Sequence, residues 1–334
     1  MVVGKRINNN STWKLGDESI EEVNEYKYLG YFVNRTLKSN FHICNFLKEK
    51  ADKQLNYMIR VLEEHGNFNR LNFGDALWNS VIRPSLTHAC AVWMPLSQAS
   101  KDSLDSWQYK AAKIILRTKL NIPKAAILLE LGWEPLSVFI DRQRISYYKR
   151  LLRLPNHRLC KQVYNEMINN NDTFWDYDTL NLDIIRDVTP DVSCFESQSQ
   201  TSLNSMFGTN TRNKMMLEVQ TKSSLDLYQN CFVKIGRQSY LCDNDFRSSR
   251  LKLLARTKTI PLKKYLYRMN MSQSDVCDLC NAEVGEDLEH VFFDCPVYDE
   301  IRLKFSSLFN LSLMKASVLI FPLQNCCLLL RSSS

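Results

Sequence analysis

The sequence has 334 residues, of which 45% are hydrophobic and nine are glycine, and its formal net charge is +7 at neutral pH. This length and apolar content allow two or three compact units with cores of their own and exclude a disordered tail. The scarcity of glycine argues against an all-β sandwich or a phosphate-cradling α/β enzyme, so we expect a mainly α-helical fold.

The positive charge is concentrated in two blocks. Residues 101–161 contain 13 basic and 5 acidic side chains, and Arg247 to Arg268 contain 8 basic and no acidic ones. Between the blocks, residues 162–246 reverse to 6 basic against 12 acidic. One interpretation is a polyanion that contacts both basic blocks. The other is that these lysines and arginines only solvate helix faces.

The eleven cysteines form no regular framework, and the N-terminus lacks the basic, apolar and cleavage segments of a secretory signal. We therefore expect a reducing compartment, the nucleus or the cytoplasm, in which free thiols and metal ligands are commoner than disulfides. No apolar stretch approaches the ~20 residues that a membrane span needs. We expect no membrane association.

The first elements in chain order are predicted to be short strands. Met1-Val2-Val3-Gly4 is typical of a β-strand, and an acidic turn is expected from Asp17 to Glu25. Alternating aromatic residues then predict one more strand through Tyr26 to Val33.

From Ser39 onward the pattern is helical. Apolar residues recur at steps of three and four from Ile43 to Leu62, which predicts a helix capped at Ser39 or Asn40 and ended before Gly66. Four further helices complete a predicted bundle. One carries Trp78 and Val81 and ends at Pro84, one follows the capping candidate Ser100, one lies between Pro123 and Gly132, and one opens at Pro135.

The region from Thr189 to Ser224 is rich in Ser, Thr, Asn and Gln and has few apolar anchors. This composition predicts a linker. Ordered structure is expected to resume with Leu225 to Val233, followed by the second basic block.

The sharpest motif is Cys277-Asp278-Leu279-Cys280, followed after nine residues by His290 and after four more by Cys295. Two thiolates separated by two residues can bind one ion from a tight turn, and the later pair completes a tetrahedral site. Because Pro296 disfavours a helical conformation at the residue before it, Cys295 should lie between two helices. The alternative is ordinary buried cysteines with one core histidine.

A catalytic zinc keeps an open coordination position, whereas four protein ligands close the coordination shell. The motif therefore predicts one structural zinc ion.

The second basic block lies immediately before this motif. Its positive side chains would contact phosphates, and Tyr265 or Tyr267 would stack on an unpaired base, unless these rings pack in the core. The candidate nucleic-acid-binding residues are Arg247, Arg250, Lys252, Arg256, Lys258, Lys263, Lys264 and Arg268.

Several stretches resemble landmarks of non-LTR (LINE-type) retrotransposon reverse transcriptases. Tyr26-Lys27-Tyr28-Leu29-Gly30 resembles the strand that closes their palm near the primer end, and Val81 to Trp93 resembles part of their thumb. In the latter stretch, His88 and Cys90 depart from the family's usual Tyr and Gly.

Further along the chain, Trp107-Gln108 and Leu131 to Leu136 match two more landmarks of these enzymes. The four ligand-type residues, followed by Pro296 and Tyr298, resemble their C-terminal Cys-Cys-His-Cys knuckle. The order and the separation of all the landmarks agree.

The resemblance implies five segments. They are a palm remnant at 1–36, a helical thumb-like bundle at 37–165, a variable polar connector at 166–240, a basic segment with the zinc knuckle at 241–310, and a tail at 311–334. In this reading Tyr28, Leu29 and Gly30 belong to the strand near the primer end.

The resemblance also implies a function. The family's polymerase holds two Mg²⁺ ions with palm aspartates, including an adjacent pair, and this sequence has no Asp-Asp pair. We therefore expect no polymerase activity from this chain alone and no catalytic residues. Expected partners are RNA or DNA, single-stranded or as an RNA–DNA hybrid, and an upstream polymerase domain in the parent protein. The alternatives are a zinc-stabilised protein-interaction module and a non-functional truncated retroelement product.

Overall fold

The computed structural model describes residues 13–20, 23–34, 39–64, 69–94, 96–170, 179–188, 195, 197–222, 225, 236–242, 245–280 and 282–309. Within these ranges the chain is mainly α-helical, with two small antiparallel hairpins near the N-terminus. The predicted fold class is confirmed. The strand predicted at Met1 to Gly4, the helix end at Gly66 and the tail at 311–334 lie outside the described residues.

The first hairpin was not predicted. It pairs β1 (Trp13–Leu15) with β2 (Glu18–Ile20) through a two-residue turn at Gly16 and Asp17. The expected acidic turn from Asp17 to Glu25 is therefore wrong in its first part. Gly16 has a φ of 64°, which a glycine adopts without steric strain, and this allows the chain to reverse directly.

The second hairpin replaces the single strand predicted from Tyr26 to Val33. It pairs β3 (Glu25–Tyr28) with β4 (Tyr31–Asn34). Leu29 and Gly30 form the turn, with φ values of 47° and 88°. Two successive residues with positive φ give the turn that matches the twist of a tight hairpin. Leu29 and Gly30 thus lie in a turn and not, as predicted, in a strand.

The helix predicted from Ser39 is present as three joined segments. These are α1 (Ser39–His42), a π-helical turn (Ile43–Leu47) and α2 (Lys48–Glu64). The residues of α2 that are buried recur at steps of three and four, as the sequence predicts. They are Ala51, Leu55, Met58 and Leu62.

The next helix does not end at Pro84, contrary to prediction. It runs through α3 (Arg70–Leu77), a π-helical turn (Trp78–Ile82) and α4 (Arg83–Leu86). A proline inside a regular α-helix clashes with the carbonyl four residues earlier. The π-helical turn widens the backbone just before Pro84, which lets the helix continue for two more residues.

Three longer helices follow a short 3₁₀ turn at Cys90–Val92. They are α5 (Gln98–Ile115), α6 (Lys124–Leu131) and α7 (Leu136–Arg153). Helix α5 begins two residues before Ser100, because Ser97 receives the N–H of Ser100 on both its carbonyl and its hydroxyl oxygen. Pro123, Gly132 and Pro135 flank α6 and α7, as predicted.

The predicted linker contains the longest helix of the described chain. After α8 (Leu159–Asn169) and α9 (Asp183–Arg186), α10 spans Gln200–Gln220. Four of its apolar residues are spaced by fours or eights and are buried, so they suffice to anchor a long polar helix. They are Leu203, Phe207, Met215 and Val219.

The C-terminal part consists of short elements around the cysteines. A 3₁₀ turn (Ser239–Cys242) leads into α11 (Phe246–Arg256) and α12 (Lys263–Arg268). A π-helical turn (His290–Asp294), a 3₁₀ turn (Pro296–Tyr298) and α13 (Asp299–Phe309) follow.

The chain divides into two compact units. The first comprises the described residues within Met1–Gly66, Gly74–Ala111 and Glu134–Arg212, and the second those within Asn67–Phe73, Ala112–Trp133 and Asn213–Ser334. The five predicted segments stay a prediction. Among the described helices, none combines the length and the apolar content that crossing a bilayer requires.

Candidate zinc site and basic segment

The first two candidate ligands lie on a small loop of extended backbone. Val276 and Gly285 form an antiparallel bridge, and the N–H of Cys277 donates to the carbonyl of Val284 at 2.9 Å. Cys280 lies three residues after Cys277 on the same loop. The bridge therefore fixes the base of the loop that carries both thiols.

The other two candidate ligands lie at the two ends of one helical turn. His290 begins the π-helical turn, and its backbone N–H donates to the Asp287 carboxylate at 2.9 Å. Cys295 follows the turn in an extended conformation (φ −68°, ψ 118°), with Pro296 as the first residue of the next helical element. The proline effect predicted from the sequence accounts for this break.

The four side chains converge. Their ligand atoms all lie within 4.8 Å of one another, and all four residues are buried. Cys280 Sγ is 3.3 Å from His290 Nε2. A tetrahedral zinc ion with bonds of about 2.3 Å to sulfur separates its ligands by about 3.8 Å. The spacing and the donor set of the site, three sulfurs and one imidazole nitrogen, therefore fit zinc.

The protonation of the thiols depends on such a cation. Burial raises the pKa of the Cys295 thiol, and the neighbouring thiols of Cys277 and Cys280 raise it further. Three close sulfurs in a buried place are thus unfavourable as free thiolates. A divalent cation would bind them as thiolates with release of protons, which couples metal binding to the folding of this region.

Comparison with known families assigns this region. Residues 234–301 match a family model described as zinc-binding in reverse transcriptase. The match includes all four converging residues. Residues 234–301 thus form a reverse-transcriptase-associated zinc-binding region. No match was found among curated proteins or among solved structures.

The family match and the buried cluster together confirm the predicted structural zinc cofactor. In the described residues, four protein ligands surround the site, which suits an ion that holds the fold.

Three acidic residues next to the zinc ligands contact the second basic block. Glu286 accepts the backbone N–H of Lys263 on its side chain at 3.0 Å and that of Lys264 on its carbonyl at 3.1 Å, so it caps the start of α12. The side chain of Lys263 pairs with Asp278, and that of Lys264 pairs with Asp287 at 2.7 Å.

The acid-free composition of Arg247 to Arg268 therefore does not leave its cations unpaired. Lys263 and Lys264 pair with Asp278 and Asp287, which lie further along the chain. These two ion pairs were not predicted because the partners are distant in the sequence.

Two more cations of the block are also engaged inside the second unit. Arg256 Nε donates to Glu130 at 2.8 Å, and Glu130 is fully buried in α6. Glu130 also accepts the Tyr240 hydroxyl at 2.9 Å. Lys252 is buried, with only 5% of its surface exposed.

The remaining four candidates have accessible side chains. Arg247 and Arg268 are exposed, and Arg250 and Lys258 are half-buried. Of the two tyrosines, Tyr265 is buried, as the core-packing interpretation predicts, and Tyr267 is 51% exposed. Nucleic-acid binding by these residues stays a prediction.

The residues predicted near the primer end lie on the second hairpin. Tyr28 is exposed at the end of β3, and the Leu29 carbonyl is 2.9 Å from His88 Nε2. A side chain at Gly30 would meet the His88 ring at 3.7 Å. In the first unit, two stretches of the family resemblance are therefore in direct contact.

Two functional residues were missed in the sequence. Glu130 is the only charged residue between Ala125 and Leu131, and a lone carboxylate in such an apolar helix signals a buried partner. Arg117, which follows α5 with a φ of 47°, was not among the predicted site residues. No sequence signal marks that residue.

Proposed function

We propose that this chain is the C-terminal part of a non-LTR retrotransposon reverse transcriptase and that it binds nucleic acid without being a polymerase itself. One observation carries the proposal. The match to a zinc-binding region of reverse transcriptases coincides with four buried ligand residues whose atoms lie within 4.8 Å.

The non-LTR assignment has support from the first unit. The turn at Leu29 and Gly30 and the stretch around His88 both resemble landmarks of that group, and they contact each other through the 2.9 Å hydrogen bond. Tyr31, next to the turn, stacks on Trp93 at a centroid distance of 6.5 Å. Landmarks distant in sequence thus belong to one packed region, as parts of a common domain should.

In this proposal the zinc ion organises and does not catalyse. The loop that carries Cys277 and Cys280 also provides Asp278 and Glu286, which hold the start of α12. When bound, the ion supplies a fixed cross-link between the loop and the turn that begins at His290. The chain's own residues orient the basic segment, while zinc keeps their loop folded.

The proposed partner is RNA or DNA, single-stranded or as an RNA–DNA hybrid. The cations that remain accessible are Arg247, Arg250, Lys258 and Arg268. Phosphate contacts by such side chains release counterions, so binding should weaken as salt rises. Roughly three contacts give a log–log slope of about −2 for a single strand, at about 0.7 per phosphate.

The test uses the purified, zinc-loaded chain. Fluorescence anisotropy with a labelled 20-nucleotide single strand should show binding with that salt slope. Primer extension on an RNA template with Mg²⁺ or Mn²⁺ should show no product. Absence of salt-dependent binding would remove the nucleic-acid function, and incorporation above a mock preparation would overturn the claim that the chain is not a polymerase.

The second candidate function is a zinc-stabilised protein-interaction module. One observation favours it: Arg256, Lys263 and Lys264 already have acidic partners within the chain, which leaves fewer cations for phosphates. A protein partner's contacts need not release counterions. Binding that is insensitive to salt, together with no affinity for oligonucleotides, would select this candidate.

A further inference from the structure

The second unit contains a cleft with a basic and an apolar wall. Its volume is about 430 Å³, within the range of small-molecule binding sites. Arg117 follows the end of α5, and the other lining residues come from the first two turns of α11. The described lining residues are Arg117, Phe246, Arg247, Arg250 and Leu251.

The backbone holds Arg117 in a conformation that favours glycine. Its φ is 47°, and it follows α5 at the position where helices commonly end on a left-handed glycine. The Arg117 N–H donates to the Ile114 carbonyl at 3.1 Å, and the Thr118 N–H donates to that of Lys113 at 3.0 Å. Glycine would end this helix with less strain. An arginine here brings a charged side chain to the cleft at a conformational cost.

Arg70 connects the end of α5 to the start of α11, the two elements next to the cleft. The Arg70 guanidinium donates to the carbonyls of Ile114 and Ile115 at 2.9 and 3.1 Å, which caps the end of α5. The same group lies over the Phe246 ring, 5.8 Å from its centroid. Arg70 therefore holds the end of one helix against the start of the other, and the cleft is organised before any ligand arrives.

The electrostatics of the cleft favour an anion. Arginine keeps its charge at every physiological pH, and the guanidinium groups of Arg117, Arg247 and Arg250 all line this cleft. No described residue lining the cleft is acidic. The nearby Asp245 carboxylate accepts the backbone N–H of Arg247 at 3.1 Å and caps α11.

Arg250 contributes a half-buried side chain to the cleft. Its Nε is buried and has no hydrogen-bond partner within the described part of the chain. The cleft also lies at the N-terminus of the 11-residue helix α11, where the helix dipole favours negative charge. Planar guanidinium groups bind phosphate oxygens in pairs, and the described residues that line this cleft include three arginines and no carboxylate.

We propose that this cleft binds one phosphate group of a single-stranded polynucleotide, with the adjoining sugar or base against Phe246 and Leu251. The inference rests on the proposed function and names its principal contact site. Arg117, Arg247 and Arg250 hold the phosphate. The apolar wall distinguishes a nucleotide from an inorganic anion.

The test compares charge-removing variants of the zinc-loaded full chain. Arg117→Gly removes a cation and a strained conformation together, so the melting temperature should not fall. Arg250→Gln removes a cation and keeps side-chain length. Arg60→Gln, at an exposed arginine of α2, is the control with the same change in net charge.

Anisotropy with labelled 20-mer oligodeoxythymidylate provides the readout. Arg117→Gly and Arg250→Gln should each weaken binding roughly tenfold and reduce the salt slope by about 0.7, as expected for one lost charged phosphate contact. Arg60→Gln should stay within about twofold of the parent. Thymidine monophosphate should displace the oligonucleotide at a lower concentration than inorganic phosphate does.

The outcomes separate the two claims. The titration of the unaltered chain alone tests the proposed function. If that chain binds the oligonucleotide but Arg117→Gly and Arg250→Gln bind as Arg60→Gln does, the cleft is the wrong site and the proposed function stands. Equal competition by inorganic phosphate and thymidine monophosphate would overturn the role of Phe246 and Leu251.

Discussion

His42 and His290 are equally buried, with 4% of the surface of each exposed, but their surroundings differ in kind. His290 lies among three cysteine sulfurs. His42 lies among aromatic rings, with centroid distances from 4.7 to 6.5 Å. These rings belong to Tyr31, Phe32, Phe46 and Trp93.

The surroundings of His42 make it a core residue. Its Nδ1 accepts the backbone N–H of Phe32 at 3.3 Å, which ties β4 to α1. Burial, together with the smaller effects of the nearby Lys50 and His88, lowers the pKa of His42 to about 4. The imidazole therefore stays neutral at physiological pH because its charged form would lose its hydration.

The surroundings of His290 make it a metal ligand. A zinc-bound histidine must also be neutral, but here the ring nitrogen faces a sulfur at 3.3 Å instead of an aromatic ring. Asp287 fixes the backbone of His290. The comparison teaches that burial alone does not assign a histidine. The chemistry of its neighbours does.

Loss of the metal should have the largest effect, and it should separate His290 from His42. Structural zinc contributes on the order of 10 kcal/mol to small metal-binding regions, so chelation or Cys280→Ser should unfold residues near 270–305. The first unit, which has its own buried core around His42, should stay folded. Hydrogen exchange and zinc content, expected at one ion per chain, would measure this.

Cys160→Ser, at an exposed cysteine, is the control and should retain the zinc. Full metal content in Cys280→Ser, or loss of protection around His42 on chelation, would contradict the assignment of the two histidines to separate environments.

A buried charge provides the next largest effect. Glu130 is fully buried and pairs with Arg256, so unlike His42 it is stabilised by an opposite charge. Arg256→Ala would remove this opposite charge from the buried carboxylate and should cost about 3–5 kcal/mol of unfolding free energy. Denaturation by urea would measure it, with Arg153→Ala at an exposed arginine as control. A cost below about 1 kcal/mol would show that the pair is not important for stability.

The next effect is a pH dependence of the unfolding free energy, which His42 should cause. Its folded pKa of about 4 lies below the ordinary value of 6.5, so the unfolded chain gains a proton first as pH falls. The stability that His42 provides is complete above pH 6.5 and is lost between 6.5 and 4. At pH 4.5 the loss should be about 2–3 kcal/mol.

The measurement is urea denaturation at pH 7.5 and 4.5 for the parent and for His42→Gln. Any loss of zinc at the lower pH is common to both chains, so the difference between them isolates His42. Equal pH dependence in the two chains would show that His42 does not titrate as its burial requires.

The sequence predicted the helical class and most helix ends because its signals are local. Spacing by threes and fours marked the buried face of α2, and Pro123 and Gly132 marked the ends of α6. At Gly132 the reason is also steric, because a side chain would meet the backbone of Gly236 and Arg237 at 2.4 Å. Such positions can be predicted from the sequence.

Features that depend on residues distant in the sequence could not be predicted. The polar composition of α10 did not predict a helix, but four buried apolar residues among its 21 suffice to anchor it. The ion pair between Glu130 and Arg256 joins positions 126 residues apart. The four zinc-ligand candidates were identifiable because ligand chemistry imposes short spacings, whereas the pairing of the basic block does not.

The smallest expected effect on stability is that of Lys264→Met, next to the zinc site. The pair of Lys264 with Asp287 is largely exposed, with 57% and 35% of the two side chains accessible, so Lys264→Met should cost less than about 1 kcal/mol. Asp287 still receives the backbone N–H of His290 in that variant, so the zinc content should not change. Asp287→Ala removes both contacts and should reduce zinc affinity more, because it frees the backbone that carries the ligand. Competition with a chromogenic chelator would rank the two variants. If Lys264→Met lost as much zinc affinity as Asp287→Ala, the lysine, and not the backbone hydrogen bond, would be what orients His290.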